Sequence, residues 1–317
     1  MVSRRDEENI PYSNAGDYLA ELLTKSELPS EITTFDNFVQ DICSQSYPHY
    51  NFNTWHVRKL ASHVDTVIND PVNKYLLAAL PRYHLKSTVL GYFTSIYRML
   101  TSFGDGMYIS YKDELANYHI SNIKNFVREN PILSKIMEDT SKQSDTIINY
   151  RIGRGRRCRM YSSGVLSVKR GMHTDTITIC DDVLGDLQNP MVLTELDKVK
   201  RIYNAEILNI PNKDCPLFVY GTVIDYTDLL YTLRENEEYH PLWLPAIDPD
   251  PEHDILWPSR YDKEWLMRRR GRTSAEWKAF STEFLLTPIM ATEAFLSREE
   301  VDKVTDRNLK DYAVPGY

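Results

Sequence analysis

Two short stretches carry residue types that can handle a phosphate. Residues 80–88 read LPRYHLKST. Phosphate-gripping loops usually follow G-x-x-x-x-G-K-[ST], in which glycines let backbone N–H groups curl around the phosphates and the lysine reaches them. Lys86, Ser87 and Thr88 stand where that pattern needs them, but Leu80 and Leu85 hold both glycine positions. A loop without glycine is either less tightly wound or takes its backbone donors from strained residues. Arg82 and His84 offer further donors for phosphate or water. Alone, the stretch also reads as an ordinary helix start with a solvated lysine. The second stretch is TITIC (176–180), which runs directly into Asp181-Asp182. One carboxylate at a strand end can hold the water shell of Mg2+, and the next can orient a water on a terminal phosphate. The plainer alternative is a turn-forming pair of aspartates. Taken together, with a strand between them and about 95 positions separating Lys86 from Asp181, the two stretches point to a nucleotide hydrolase.

Such chemistry needs elements that bring both stretches to one edge. The run KYLLAAL (74–80) is a short apolar segment bounded by turn signals, a candidate buried strand, and it ends at the lysine loop. After it, Val89, Leu90, Phe93, Ile96, Tyr97 and Leu100 recur at helical spacing, with Gly104 as a stop. MYISY (107–111) reads as a second strand, followed by a helix with Leu115, His119, Ile123, Phe126 and Val127 on one face. TITIC is a third strand, a helix follows from about Met191 to Leu208, and PLFVYGT (216–222) is a fourth strand ending in Gly221-Thr222. Alternation of strands and helices predicts an α/β domain on a mostly parallel sheet, with ligands bound beyond the carboxyl ends of the strands.

Composition narrows the class. At 317 residues, with 42% hydrophobic and 26% charged residues, the chain has the makings of a globular protein. No apolar run approaches the length of a membrane span, and the opening MVSRRDEENI lacks the apolar core of a signal peptide, so a cytosolic setting is expected. Cys43, Cys158, Cys180 and Cys215 are far apart and suggest neither a disulfide framework nor a zinc site. The net charge of −8 argues against a uniformly basic nucleic-acid binder. Locally, however, Arg151, Arg154, Arg156, Arg157, Arg159, Lys169 and Arg170 occur between 151 and 172 with no acid among them. That stretch is either a DNA-facing patch or a solvated basic hairpin. The acidic run DPDPEHD (248–254) has alternating prolines that favour an extended, solvated loop over a metal cluster.

With these motifs in view, the sequence resembles the large terminase family, ATP-driven motors that package double-stranded DNA into phage heads. Their phosphate loop is commonly P-R-x-x-x-K-S/T, matched by Pro81, Arg82, Lys86, Ser87 and Thr88. Also similar are VKRGMH (with Arg170 and Gly171), ITICDDVLGD, YGTVIDYTDLL (with Gly221, Thr222 and Asp228), LWPSRYDKEWL and FSTEFLLTP, in the family's order from roughly Tyr75 to Pro288. The resemblance implies a P-loop NTPase fold of the ASCE type, a mostly parallel sheet flanked by helices, with Walker A and Walker B motifs. It implies ATP and Mg2+ as cofactors, a phosphate loop of Pro81, Arg82, Tyr83, His84, Leu85, Lys86, Ser87 and Thr88, and Mg2+ held by Ser87 and Asp181. Asp182 takes the catalytic carboxylate position, where many members carry Glu; the shorter side chain leaves room for help from another acid such as Asp186. Arg170 becomes an arginine finger reaching a neighbour's nucleotide, Gly221 and Thr222 the coupling motif, and Arg154, Arg156, Arg157 and Arg159 candidates for DNA.

The partners implied are double-stranded DNA, the portal protein, the small terminase subunit and further copies of the chain in a pentameric ring, with no membrane, in the host cytoplasm. Three units are expected: an N-terminal appendage over 1–45, the ATPase core over 46–240, and a lid or linker subdomain over 241–317 that packs its tryptophans on the core. A nuclease domain is not expected before Tyr317. The segment FNTWHVRKL (52–60) is a candidate for the adenine side. Rival readings are another P-loop motor such as a helicase, and a non-hydrolysing module that docks on a portal or on DNA.

Overall fold

The computed structural model describes residues 34–288 apart from 48–49, 103, 142–143, 145, 153–155, 170, 187–188 and 191–192. Helix α1 (Trp55–Asn69) leads into strand β1 (Tyr75–Ala79) and helix α2 (87–101), whose first residues, Ser87–Phe93, are π-helical. Then come β2 (Gly104–Ser110), α3 (Asp113–Glu129), β3 (Met137–Asp139), β4 (Ile147–Ile152), β5 (Arg156–Gly164), β6 (Thr178–Asp181), α4 (Leu193–Ala205), β7 (Leu217–Gly221), α5 (Leu229–Arg234) and β8 (Tyr239–Trp243). A hairpin of β9 (Ile247–Asp250) and β10 (His253–Ile255) precedes α6 (Lys263–Arg270) and α7 (Ser274–Glu283).

Eight strands form the main sheet in the order β8-β1-β7-β6-β2-β5-β4-β3. The first six are mutually parallel, and β4 and β3 extend the sheet antiparallel. The central strands read as near-continuous apolar runs because both of their faces are covered. Successive residues divide between two cores. Leu76 and Ala78, Ile177 and Ile179, Phe218 and Tyr220 join α1, α2 and α3 on one face. Leu77 and Ala79, Met107 and Ile109, Leu217 and Val219 join α4 and α5 on the other. Each fully buried aliphatic side chain contributes about 1.5–3 kcal/mol of burial. A one-residue register slip would exchange the two sets, so this double pattern fixes the register.

The mostly parallel α/β sheet flanked by helices foreseen from the sequence is the fold observed, with two revisions at its borders. Phe35, Phe38, Val39, Ile42 and Cys43 lie in the principal core, so the expected appendage over 1–45 includes core structure. The boundary placed after residue 240 falls inside β8, which pairs with β1 from Tyr75↔Tyr239 to Ala79↔Trp243. Proline at 241 is tolerated there because β8 lies at the sheet's edge. The C-terminal elements build a smaller cluster on Ala246, Leu266, Phe280 and Phe284, and Trp257 packs against His56 and His84. The run 248–254 forms the β9–β10 hairpin and not an extended loop; the Asp250 carboxylate pairs with His253 at 2.9 Å. Among the described residues, no helix is long and apolar enough to cross a membrane.

Candidate active site

Strands β1, β7 and β6 lie side by side, and their carboxyl ends deliver Lys86, Thr222 and Asp181-Asp182 to one place. The strand that separates β1 from β6 in space is β7, the last of the three in sequence. The loop after β1 supplies its curl without glycine. Tyr83 (φ 67°) and Leu85 (φ 64°) both adopt the left-handed conformation, Leu85 at the position where the usual pattern has its second glycine. A side chain in that region costs on the order of 1–2 kcal/mol, so the loop stores strain of the kind common at functional sites.

Lys86 is nearly buried, at 7% exposure. Its Nζ donates to Thr222 Oγ1 at 3.1 Å and pairs with Asp182 Oδ2 at 2.8 Å. The other carboxylate oxygen of Asp182 accepts the Thr222 N–H at 2.9 Å. Asp182 itself sits at φ 46°, and a Cβ on Gly221 would come within 2.8 Å of its Oδ1. Gly221 therefore leaves room for the carboxylate, while Asp228, buried, caps α5 and ties the turn by accepting from Ile224 and Tyr231 N–H groups.

Asp181 is wholly buried behind this pair. Ser87 Oγ donates to its Oδ1 at 3.1 Å and Tyr108 OH to its Oδ2 at 2.6 Å. His119 Nε2 faces the same Oδ2 at 3.6 Å. Burial pushes the Asp181 carboxyl up, opposed by the nearby His119, and lowers His119 from the usual histidine value. A hydroxyl and a carboxylate oxygen, as Ser87 and Asp181 offer here, are the hard donors that Mg2+ prefers. The residues present fit that ion, and among the described residues no cluster of three or more His, Cys, Asp or Glu side chains offers an all-protein cage.

A cleft of about 540 Å³ opens over these groups, lined by Arg82, Lys86, Asp182 and Thr222 on one side and by Lys112, Leu115 and Tyr118 of the β2–α3 corner on the other. Glu283, at the end of α7, closes it: its carbonyl accepts the Arg82 N–H and its carboxylate meets Arg82 Nε, both at 3.3 Å. Leu115, expected on the buried face of α3, is 37% exposed at the cleft wall.

Several expected site residues are placed differently. His84 points away from the cleft, 1% exposed, with its Nδ1 on the Arg82 carbonyl at 2.7 Å and its ring against Trp257 and Tyr261. It is no phosphate or water donor; burial lowers its pKa to about 4, so it is neutral. Tyr83 is exposed, Pro81 buried, and Thr88 half-buried in the first turn of α2. Trp55 of the 52–60 segment stacks on His253 with ring centroids 3.9 Å apart. The basic stretch forms the β4–β5 hairpin, where Arg159 makes two 2.7 Å bonds to Asp105 and Arg151 meets Glu138 at 3.1 Å. Arg156 also has a partner, and Arg157 is exposed. Arg154, Arg170 and the side chain of Asp186 lie outside the described residues. Tyr108, His119 and Glu283 were not legible as site residues. Tyr108 and His119 fall on apolar periodicities, and nothing in spacing shows that their polar atoms converge on Asp181.

No protein-family model matches the sequence, and no curated protein matches it. Solved structures do. The HK97 bacteriophage large terminase aligns at 13% identity over 80% of this chain and 55% of its own, with a TM-score of 0.53. The Thermus phage P74-26 large terminase ATPase domain aligns at 14% identity over 74% of this chain and 98% of its own (TM-score 0.49). The large terminase of the thermophilic bacteriophage D6E aligns at 12% over 72% and 53% (TM-score 0.48). The HK97 alignment is the one of these three above 0.5, and this chain spans 55% of that protein's length. The chain has the P-loop α/β fold of a phage large terminase.

Proposed function

We propose that this chain is the ATPase motor of a viral large terminase, hydrolysing ATP with Mg2+ to drive double-stranded DNA into a procapsid. The observation that carries the reading is the convergence at the carboxyl edge of the parallel strands of Lys86, Asp182 and Thr222, in mutual contact at 2.8–3.1 Å, with Ser87 Oγ 3.1 Å from the neighbouring Asp181. Ser87 and Asp181 would hold Mg2+, which would supply neutralisation of the charge developing on the transferred group. The chain's part is to bind and orient. The left-handed residues at 83 and 85 turn backbone N–H groups toward a bound anion, and Lys86 meets the phosphates in place of Asp182. Freed of the lysine, Asp182 remains aimed by the Thr222 N–H and accepts the proton of the attacking water. Thr222 touches both Lys86 and Asp182, so a change at the phosphates reaches β7 directly, which suits a coupling role for Gly221 and Thr222.

In this reading Arg170 serves a neighbouring subunit. It stands in VKRGMH, the segment whose resemblance gives Arg170 the arginine-finger place. The portal, the small terminase subunit and a ring of further copies in the host cytoplasm are the corresponding partners, and Arg154, Arg156 and Arg157 the DNA-side candidates. Two measurements test this. Purified protein should turn over ATP only with Mg2+, and Asp182→Asn should keep nucleotide binding while losing turnover. Under assembling conditions, Lys86→Ala and Arg170→Ala proteins, each inactive alone, should recover activity when mixed. Wild-type protein that binds no nucleotide, with or without DNA, would leave a docking module as the surviving reading.

A further inference from the structure

Behind Asp181 lies a set of polar groups that hydrolysis as described does not use. Asn122, on α3, donates its amide to Tyr92 OH at 3.1 Å. Tyr92 OH lies 2.8 Å from His119 Nδ1, and the phenol is assigned as the donor in that pair. His119 therefore carries its own proton on Nε2, the nitrogen that faces Asp181 Oδ2. From the other side Tyr108 donates to the same oxygen, and with that proton committed, Tyr220 OH, 3.3 Å from Tyr108 OH, is the donor to it. Ser87 and Tyr108 thus donate to the two oxygens of the Asp181 carboxylate, and His119 Nε2 faces Oδ2 at 3.6 Å. Gly91, on α2, makes the arrangement possible: a Cβ there would lie 2.5 Å from Tyr220 OH and 2.6 Å from Tyr108 OH.

We propose that Tyr108 and His119 are positioning residues for Asp181: they occupy its Oδ2 so that the carboxylate cannot rotate and its Oδ1, beside Ser87, is presented to the Mg2+ shell. The inference rests on the nucleotide reading of the cleft. It extends that reading to α3, since His119 directly follows Tyr118 and lies one turn beyond Leu115, both of which line the cleft. Any contact that shifts the start of α3 then changes how firmly Asp181 is held.

The test is the Mg2+ dependence of binding of a fluorescent ATP analogue, read for the wild type, Tyr108→Phe, His119→Ala and His119→Gln, with binding in EDTA as the control. Groups that orient a metal ligand typically alter metal affinity 10–100-fold when removed. Tyr108→Phe and His119→Ala should raise the Mg2+ midpoint by about 10-fold while binding in EDTA stays at the wild-type value. His119→Gln, whose amide nitrogen stands where Nε2–H stands, should restore the midpoint. Unchanged midpoints in Tyr108→Phe and His119→Ala, or a matching loss in EDTA, would overturn the positioning role while leaving the nucleotide site intact. Wild-type binding that does not respond to Mg2+ would overturn the positioning role alone, and a wild type that binds no analogue under either condition would overturn both.

Discussion

The cleft beside Lys86 and the basic hairpin of β4 and β5 both gather charge, yet they hold it in opposite ways. In the cleft, Lys86 is 7% exposed and meets Asp182 and Thr222 inside a concavity. On the hairpin, Arg159 and Arg151 meet Asp105 and Glu138 with side chains about half exposed, at 50% and 46%. The Coulomb contacts are of similar length, but the surroundings differ. Water screens the hairpin pairs, so each is worth about 0–1 kcal/mol; in the cleft the same contact works at lower effective dielectric and answers to any anion that enters. Charge withheld from water at the end of parallel strands is therefore a stronger mark of a candidate site than local charge density.

The largest expected break in this contrast is catalytic. Lys86→Ala should cut ATP turnover by about 10²–10³-fold or more, while the melting temperature falls by roughly 2–4 °C, the equivalent of about 1 kcal/mol for a protein of this size. A large loss of stability with normal turnover in the folded remainder would make Lys86 structural and relocate the site.

The second is pH. His56 and His84 flank the loop, buried and neutral, with pKa values lowered by burial from 6.5 to about 3 and about 4. Below pH 6.5 the unfolded chain binds protons that these folded imidazoles refuse. Their contribution is therefore whole above that pH and drains away as pH falls toward 4. Urea unfolding should show a loss of about 2–3 kcal/mol per histidine between pH 6.5 and 4.5, and His84→Gln should flatten that limb. An equal acid slope in His84→Gln would sink the assignment.

Third, Gly91→Ala should destabilise by about 1–3 kcal/mol through overpacking against the two tyrosine hydroxyls. Tyr220→Phe should recover part of the loss, and chemical denaturation of the single and double variants measures it.

The smallest effects belong to the hairpin. Arg159→Ala should cost less than about 1 kcal/mol and leave basal hydrolysis unchanged. Arg157→Ala should weaken DNA binding and reduce its salt slope by about one. Loss of basal hydrolysis in either would join the two regions that the structure separates.

Much of the framework was legible. KYLLAAL, TITIC and PLFVYGT became β1, β6 and β7 because strands covered on both faces must be apolar throughout, and that demand leaves a plain mark in a linear sequence. β8 was missed because Pro241 and the neighbouring prolines carry the mark of loops, and at a sheet edge proline does little harm. Phe35–Cys43 was missed because a few buried residues amid polar ones show no sustained period. At the candidate site, the strand-end places of Lys86, Ser87, Asp181, Asp182, Gly221 and Thr222 were legible, and the structure brings these residues together. His84 was misplaced because spacing near a lysine does not reveal which way a ring turns.

What the sequence by itself determined is therefore the set of parallel strands and the polar residues set at their ends, since local patterning records burial and chain direction. The tertiary structure alone decided which polar groups meet. Lys86 finds Thr222 across 136 positions, Tyr108 finds Asp181 across 73, and Arg159 finds Asp105 across 54. It also decided that Tyr83 and Leu85 adopt a glycine-like backbone. Hydrogen bonding, desolvation and tolerated strain depend on neighbours in space, and packing of the two cores against the sheet selects those neighbours.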